Sequence, residues 1–240
     1  MTLALATLAT FVAAVIQRIT GLGFVLVLLG PLVLLYGAGA GVTLAVLLSL
    51  VASGSAVPLV WREVDWRHAL WLIVPGLLAA PLGAWVVARL PEPALLLMIA
   101  AMAFFALVAG WIPALARGLR GRGGAVAAGA TAGFMHVASG LSGPALAAHA
   151  VGDRWPQRSF AASAQVIFVA FSAVSVALRG LPTLPMADVV TGMVVTVAGI
   201  VVGSLLMRWV RPVWARRAML AIAWIGAFVV LIRGIIALLP

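Results

Sequence analysis

Gln17-Arg18-Ile19-Thr20-Gly21-Leu22-Gly23 sits in the middle of an apolar run over residues 2–36, and His136-Val137-Ala138-Ser139-Gly140-Leu141-Ser142-Gly143-Pro144 sits in the middle of another over 124–150. Neither run reads as one uninterrupted helix. Glycines with hydroxyl and ring side chains break helical backbone, and broken backbone at membrane depth is tolerated only inside protein or beside a water-filled cavity. The rest of the chain establishes that depth. Hydrophobic residues make up 65% of the 240 positions and charged residues 8%, against about 45–50% and about 25% in soluble domains. A soluble fold of this length could not hide so much apolar surface behind a polar skin. A bilayer crossing needs roughly 20 apolar residues, which predicts transmembrane helices at 42–60, 68–88, 93–111, 160–178, 187–207 and 214–236. The fold class expected is an all-α polytopic membrane protein.

The two breaks repeat. Gly21-Leu22 matches Gly140-Leu141 at a spacing of 119, and Leu82-Gly83-Ala84 matches Val202-Gly203-Ser204 at 120. Asp65 and Asp188 each open the next span of their half. This predicts an N-terminal repeat over 1–116 (hairpin 2–36, then 42–60, 68–88 and 93–111) and a C-terminal repeat over 125–240 (hairpin 125–150, then 160–178, 187–207 and 214–236). Between them, residues 117–124 form an Arg/Gly linker on the cytoplasmic side. Paired interrupted segments in two halves of a membrane chain point to a binding site between them.

The arginines choose how the broken segments sit. If each segment crosses once, the loop arginines divide evenly between the two sides. If each is a hairpin entering and leaving on one side, the halves have opposite orientation, and all loop arginines except Arg89, Arg179 and Arg233 fall together. That asymmetry obeys the positive-inside rule. The reading is therefore two inverted repeats, each a broken-helix hairpin plus three transmembrane helices, with both termini outside. Trp61, Trp66, Trp111, Trp155, Trp209 and Trp214 fall at or near span ends, where an indole prefers the headgroup region.

Absences exclude whole classes. Without cysteine there is no disulfide, iron–sulfur cluster or thiol nucleophile, and without lysine no Walker A loop or Schiff base. The net charge of +10 is scattered in loop clusters, with no basic groove interleaved with aromatics, so nucleic acid is not expected as a partner. Three scattered histidines make a poor metal site, and no cofactor is expected. His68 and His149 read as interfacial. The apolar N-terminus, without a cationic start, reads as retained.

The breaks favour an anion. A second half-helix that starts inside the membrane presents N–H groups and the positive end of its dipole to the gap. Gly21, Gly23, Gly140 and Gly143 would let the backbone approach a ligand, and Thr20, Ser139 and Ser142 would add hydroxyl donors. Arg18 has no carboxylate at mid-span to pair with, and an unpaired guanidinium can grip an oxyanion with a fork of hydrogen bonds. Gln17 and His136 occupy equivalent positions, and His136 could donate to the anion or carry a coupled proton. Gln165 is a mid-span amide in need of a partner. These residues form the expected substrate-binding set.

Gly133-Phe134-Met135-His136-Val137-Ala138-Ser139-Gly140-Leu141-Ser142-Gly143-Pro144, with Gln17 through Gly23 and then Pro31, resembles the paired glycine-rich segments of the sulfite exporter TauE/SafE family, also called the toluene sulfonate uptake permease family. Val64-Asp65-Trp66-Arg67 and Pro81-Leu82-Gly83-Ala84 extend the resemblance over nearly the whole chain. The chain departs from the family's glycine run at Phe24 and Gly143-Pro144. The resemblance implies transport of small sulfur-containing anions such as sulfite, thiosulfate or sulfonates. The expected function is a secondary transporter or facilitated exporter in the bacterial inner membrane, binding substrate between two hairpin tips near the midplane. An intramembrane enzyme and a non-transporting membrane partner are the alternatives. No Ser/His/Asp spacing supports catalysis, so the chain is not expected to be an enzyme.

Overall fold

A computed structural model describes residues 1–238; residues 239–240, the end of the C-terminal unit read from the sequence, lie outside the described chain. The described residues form α1 (Thr2–Thr20), α2 (Phe24–Val60), α3 (Trp66–Arg89), α4 (Glu92–Val108), α5 (Pro113–Gly118), α6 (Gly121–Ser139), α7 (Gly143–Gly152), α8 (Gln157–Arg179), α9 (Met186–Leu206) and α10 (Pro212–Ile236), with no strand among them. Seven helices are long and apolar enough to cross a membrane: all but α5, α6 and α7. The chain is a multi-pass membrane protein. Its surface agrees, since Leu78 of α3, Val194 of α9 and Ile225 of α10 expose 78%, 63% and 66% of their area in mid-helix, as suits residues that face lipid.

Both breaks close in the same way. Gly21 and Gly140 each take φ 78°, a left-handed conformation that a Cβ would strain. Their N–H groups return to Gln17 O and His136 O, each at 2.7 Å, and end α1 and α6. The chain then restarts as α2 and α7. In α2 the helix is interrupted once more at Gly37 (φ 82°, ψ 171°) before it continues to Val60. The return arm therefore ends at Gly37, between the expected hairpin 2–36 and the expected span 42–60.

Long-range contacts fix where these arms lie. The Tyr36 hydroxyl donates to Asp188 Oδ2 at 2.8 Å, which places the end of the first return arm at the start of α9. α1 runs alongside α9 in the same direction, Phe11 and Ala14 against Gly199, Val15 and Arg18 against Gly203. Both ends of the first broken segment therefore lie near the start of α9. In the second segment the Gly121 N–H donates to Asp153 Oδ1 at 2.7 Å, and His149 Nδ1 lies 2.7 Å from Leu119 O. The two ends of that segment therefore lie together, and Arg158 at the start of α8 pairs with Glu63 beyond α2 at 2.5 Å.

The arms dock by close backbone approach. A Cβ on Gly203 would come 2.7 Å from Arg18 Cβ and 3.1 Å from Val15 O, and one on Gly83 would come 2.7 Å from Phe134 O and 3.3 Å from Val137 Cβ. Val15 and Arg18 lie 119 positions before Phe134 and Val137, so α1 on α9 and α6 on α3 are the same contact made twice. Without water to drive association, such small-residue seams supply the van der Waals packing that holds membrane helices together.

Two local readings change. Gly121–Gly124, read as linker, form the first turn of α6, because the Asp153 carboxylate caps that turn. Trp155, read as an interfacial anchor, is 8% exposed and packs between His68, His149 and Phe160.

Candidate anion-binding site

The first break opens onto a cavity of about 130 Å³ lined by Gln17, Arg18 and Gly21 of the tip, Gln165 and Ala161 of α8, and Ala56 of α2, with Glu63 and Arg158 at its edge. Each polar group has a traceable position. Gln17 is 3% exposed, and its Oε1 accepts the Phe24 N–H at 3.1 Å. The leading N–H of α2, which the sequence offered to a ligand, is thus capped by the tip itself. Gln17 Nε2 faces Gln165 Oε1 at 3.3 Å and Ser53 Oγ at 3.5 Å, and Gln165 Nε2 donates to Gly21 O at 2.8 Å. The two amides so hold the broken backbone to α8 and α2.

Arg18 is the group left with capacity. Its Nε donates to Ser204 Oγ at 2.7 Å, and Ser204 in turn donates to Ile200 O at 2.9 Å. Both terminal nitrogens of the guanidinium lack a partner among the described residues, while the side chain lines the cavity. The carboxylate at the cavity edge, Glu63, is engaged by Arg158. A half-buried guanidinium pinned at Nε presents its two outer N–H groups as the fork that a planar or tetrahedral oxyanion accepts.

The second break is closed. His136 is 1% exposed; its Nδ1 lies 2.8 Å from Ser142 Oγ and its Nε2 2.9 Å from Ser172 Oγ, with Phe168 and Phe171 against the ring. Ser172 stands 119 positions after Ser53, so His136 repeats the Gln17 contact to the helix that follows. Ser139 Oγ donates to Met135 O at 3.0 Å, and the Thr20 hydroxyl is within reach of Ile16 O and Leu22 O at 2.8 and 2.6 Å, so both are turned to backbone. Gly140 packs on Val25 and Val46, Gly23 on Met219, and Gly143 faces open space.

Of the expected set, the structure therefore gathers Gln17, Arg18, Gly21 and Gln165 on one cavity. His136, Ser142 and, through backbone, Ser139 and Gly140 form a separate buried cluster. Gln165 and Ser172 stand seven positions apart on α8, so the tips lie about 10 Å apart along that helix. Ser204 was not foreseen from the sequence as the anchor of Arg18, although Gly203-Ser204 was visible as a repeat position; nor were Arg158 and Glu63 on the cavity wall, which stand at the ends of helical segments without local pattern.

Across the described residues no group of three or more histidine, aspartate or glutamate side chains could hold a metal ion. The description that matches the chain by family model is sulfite exporter TauE/SafE, over residues 6–230. No curated protein and no solved structure matches it. With that model covering all but the ends of the chain, from the first turns of α1 to the last of α10, the protein belongs to the sulfite exporter TauE/SafE family of membrane transporters.

Proposed function

We propose that this protein is a secondary transporter or facilitated exporter of small sulfur-containing anions across a bacterial inner membrane. Sulfite, thiosulfate and sulfonates are the candidate substrates. The observation that carries the reading is Arg18: a guanidinium pinned at Nε by Ser204, with both outer nitrogens unpaired, on the wall of a cavity at a helix break. An arginine inside the membrane costs about 2.5–3.5 kcal/mol on insertion scales, so one without a protein counter-charge has a ligand to serve. Gln17, Gly21 and Gln165 would orient that ligand. Thr20 and Gly23 shape the first break beside it, while His136, Ser139, Gly140, Ser142 and Gly143 build the closed second break.

The repeats are read as inverted. Support comes from the α1–α9 and α6–α3 seams at matched positions, and from broken segments that open on opposite faces. The arginine-rich face, with Glu63 and Arg158, is the cytoplasmic one by the positive-inside rule. A potential of about 100 mV, inside negative, favours expelling one negative charge by about 2.3 kcal/mol, so export of a monovalent anion runs without ATP.

Reconstitution in liposomes tests this. Radiolabelled sulfite or thiosulfate should leave vesicles faster when a potassium gradient imposes an inside-negative potential, and slower when the potential is reversed. Protein-dependent flux of neither anion under any potential would remove the proposed substrate class.

A further inference from the structure

The 119-residue spacing relates the walls of the open cavity to a second set of residues near the opposite face. Ala56 corresponds to Ser175, Val60 to Arg179, Arg18 to Val137, Ala162 to Thr43, and Arg158 to Gly39. In the first set these residues surround empty space. In the second the space is filled. Arg179 reaches back from the end of α8, its Nε donating to Thr43 Oγ1 at 3.1 Å, one terminal nitrogen to Val137 O at 2.9 Å and the other to Gly39 O at 3.2 Å. Each acceptor belongs to a residue whose counterpart lines the open cavity, and Arg179 is itself the counterpart of a lining residue. Beneath it Ser175 is fully buried, and its Oγ has no partner among the described residues. A buried hydroxyl without a partner is costly, and here it lies where the opposite half has open space.

We infer that this region is a second anion cavity, plugged by Arg179, which opens to the face opposite Arg158 when the guanidinium leaves Thr43, Val137 and Gly39. Arg158 and Arg179 stand 21 residues apart on α8, about 31 Å along a helix, close to the roughly 30 Å of a hydrocarbon core. One helix thus carries a cation to each mouth of the path. Once released, Arg179 offers its fork of N–H groups, and Ser175 its hydroxyl, to the same class of oxyanion that Arg18 faces. The inference rests on the transporter reading and adds the exit half of its route.

The chain has no cysteine, so single thiols can be placed without altering any native residue of that type. Ala56→Cys and Ser175→Cys are made separately and exposed to a membrane-impermeant maleimide from one side at a time in oriented vesicles. Ala56→Cys should react from the Arg158 face. Ser175→Cys should react slowly alone and at least tenfold faster when combined with Arg179→Ala, from the Arg179 face. Thr43→Val removes one of the three bonds and should give an intermediate rate, and it carries the test if Arg179→Ala fails to fold. With Arg179 intact, sulfite on the Arg158 side should raise the Ser175→Cys rate several-fold, which a mere hole could not do. A Ser175→Cys rate unmoved by either substitution, or reaction from the Arg158 face, overturns the inference. Thiol reaction does not depend on which anion is carried: unplugging without sulfite flux removes the substrate, whereas sulfite flux with unmoved labelling removes the plug.

Discussion

Four residues before its left-handed glycine, the first break carries Gln17 and the second carries His136. Both side chains are buried, and both reach the serine at the same place on the following helix, Ser53 or Ser172. The difference lies one residue further on. Arg18 in the first break is held only at Nε and faces a cavity, while Val137 in the second is apolar and lends its carbonyl to Arg179. The same backbone device therefore yields an open, cationic site in one half and a sealed polar core in the other. The backbone turn is the same in both breaks, and the side chain one residue further on decides whether open space lies beside it.

The largest expected effect separates the two breaks by packing. Alanine at either left-handed glycine is strained by about 1–2 kcal/mol. At Gly140 the new Cβ would also meet Val25 Cγ1 at 2.7 Å, against 3.3 Å to Ala161 Cβ at Gly21. Overpacking adds about 1–3 kcal/mol, so Gly140→Ala should lower the melting temperature in detergent clearly more than Gly21→Ala. Equal losses would mean that the second break is not the tighter one.

Next comes charge. Arg18→Ala removes hydrogen bonds to an anion worth about 1.5–3 kcal/mol, so sulfite flux should fall roughly tenfold to a hundredfold with thermal stability little changed. Arg18→Lys should recover only part of it, since an ammonium cannot form the two-pronged contact. His136→Gln places in the second break the residue used by the first, and should leave the protein folded with flux within a few-fold of the native chain. A collapse of flux in His136→Gln alone would move the chemistry to the closed break.

The smallest effect concerns the arms. The Gly121 N–H, against the opposing effect of partial burial and with help from His149 and His68, holds the Asp153 carboxyl below the ordinary carboxylate range. A lowered folded value means that its stabilisation is complete above the ordinary carboxylate range and is lost as pH falls through the folded value. Asp153→Asn should therefore narrow the stability difference between neutral and acid pH, in thermal scans at each, by no more than about 1 kcal/mol.

What the sequence disclosed and what it withheld follow from the range of the interactions. The helix breaks were legible because Gly21 and Gly140 are local requirements of backbone geometry, and Gly37 fell in the gap between two apolar runs. Gly83 and Gly203 were legible as repeat positions, though the helices they would face were not. The depth of each tip was not readable, because it is set by Gln165 and Ser172, 148 and 36 residues from their partners. Nor was the role of Arg179, whose three acceptors lie 42 to 140 residues away. The sequence could identify Arg18 as an arginine lacking a carboxylate, but the hydroxyl of Ser204 that aims it comes from a helix 186 residues on.

The most direct test of the central claim is equilibrium binding of sulfite to detergent-purified protein, with Arg18→Ala and His136→Gln measured beside the native chain by titration calorimetry. Saturable binding is expected for the native protein and for His136→Gln, with an affinity at least tenfold weaker in Arg18→Ala. Native affinity in Arg18→Ala, with the protein folded, would contradict an anion site at the first break.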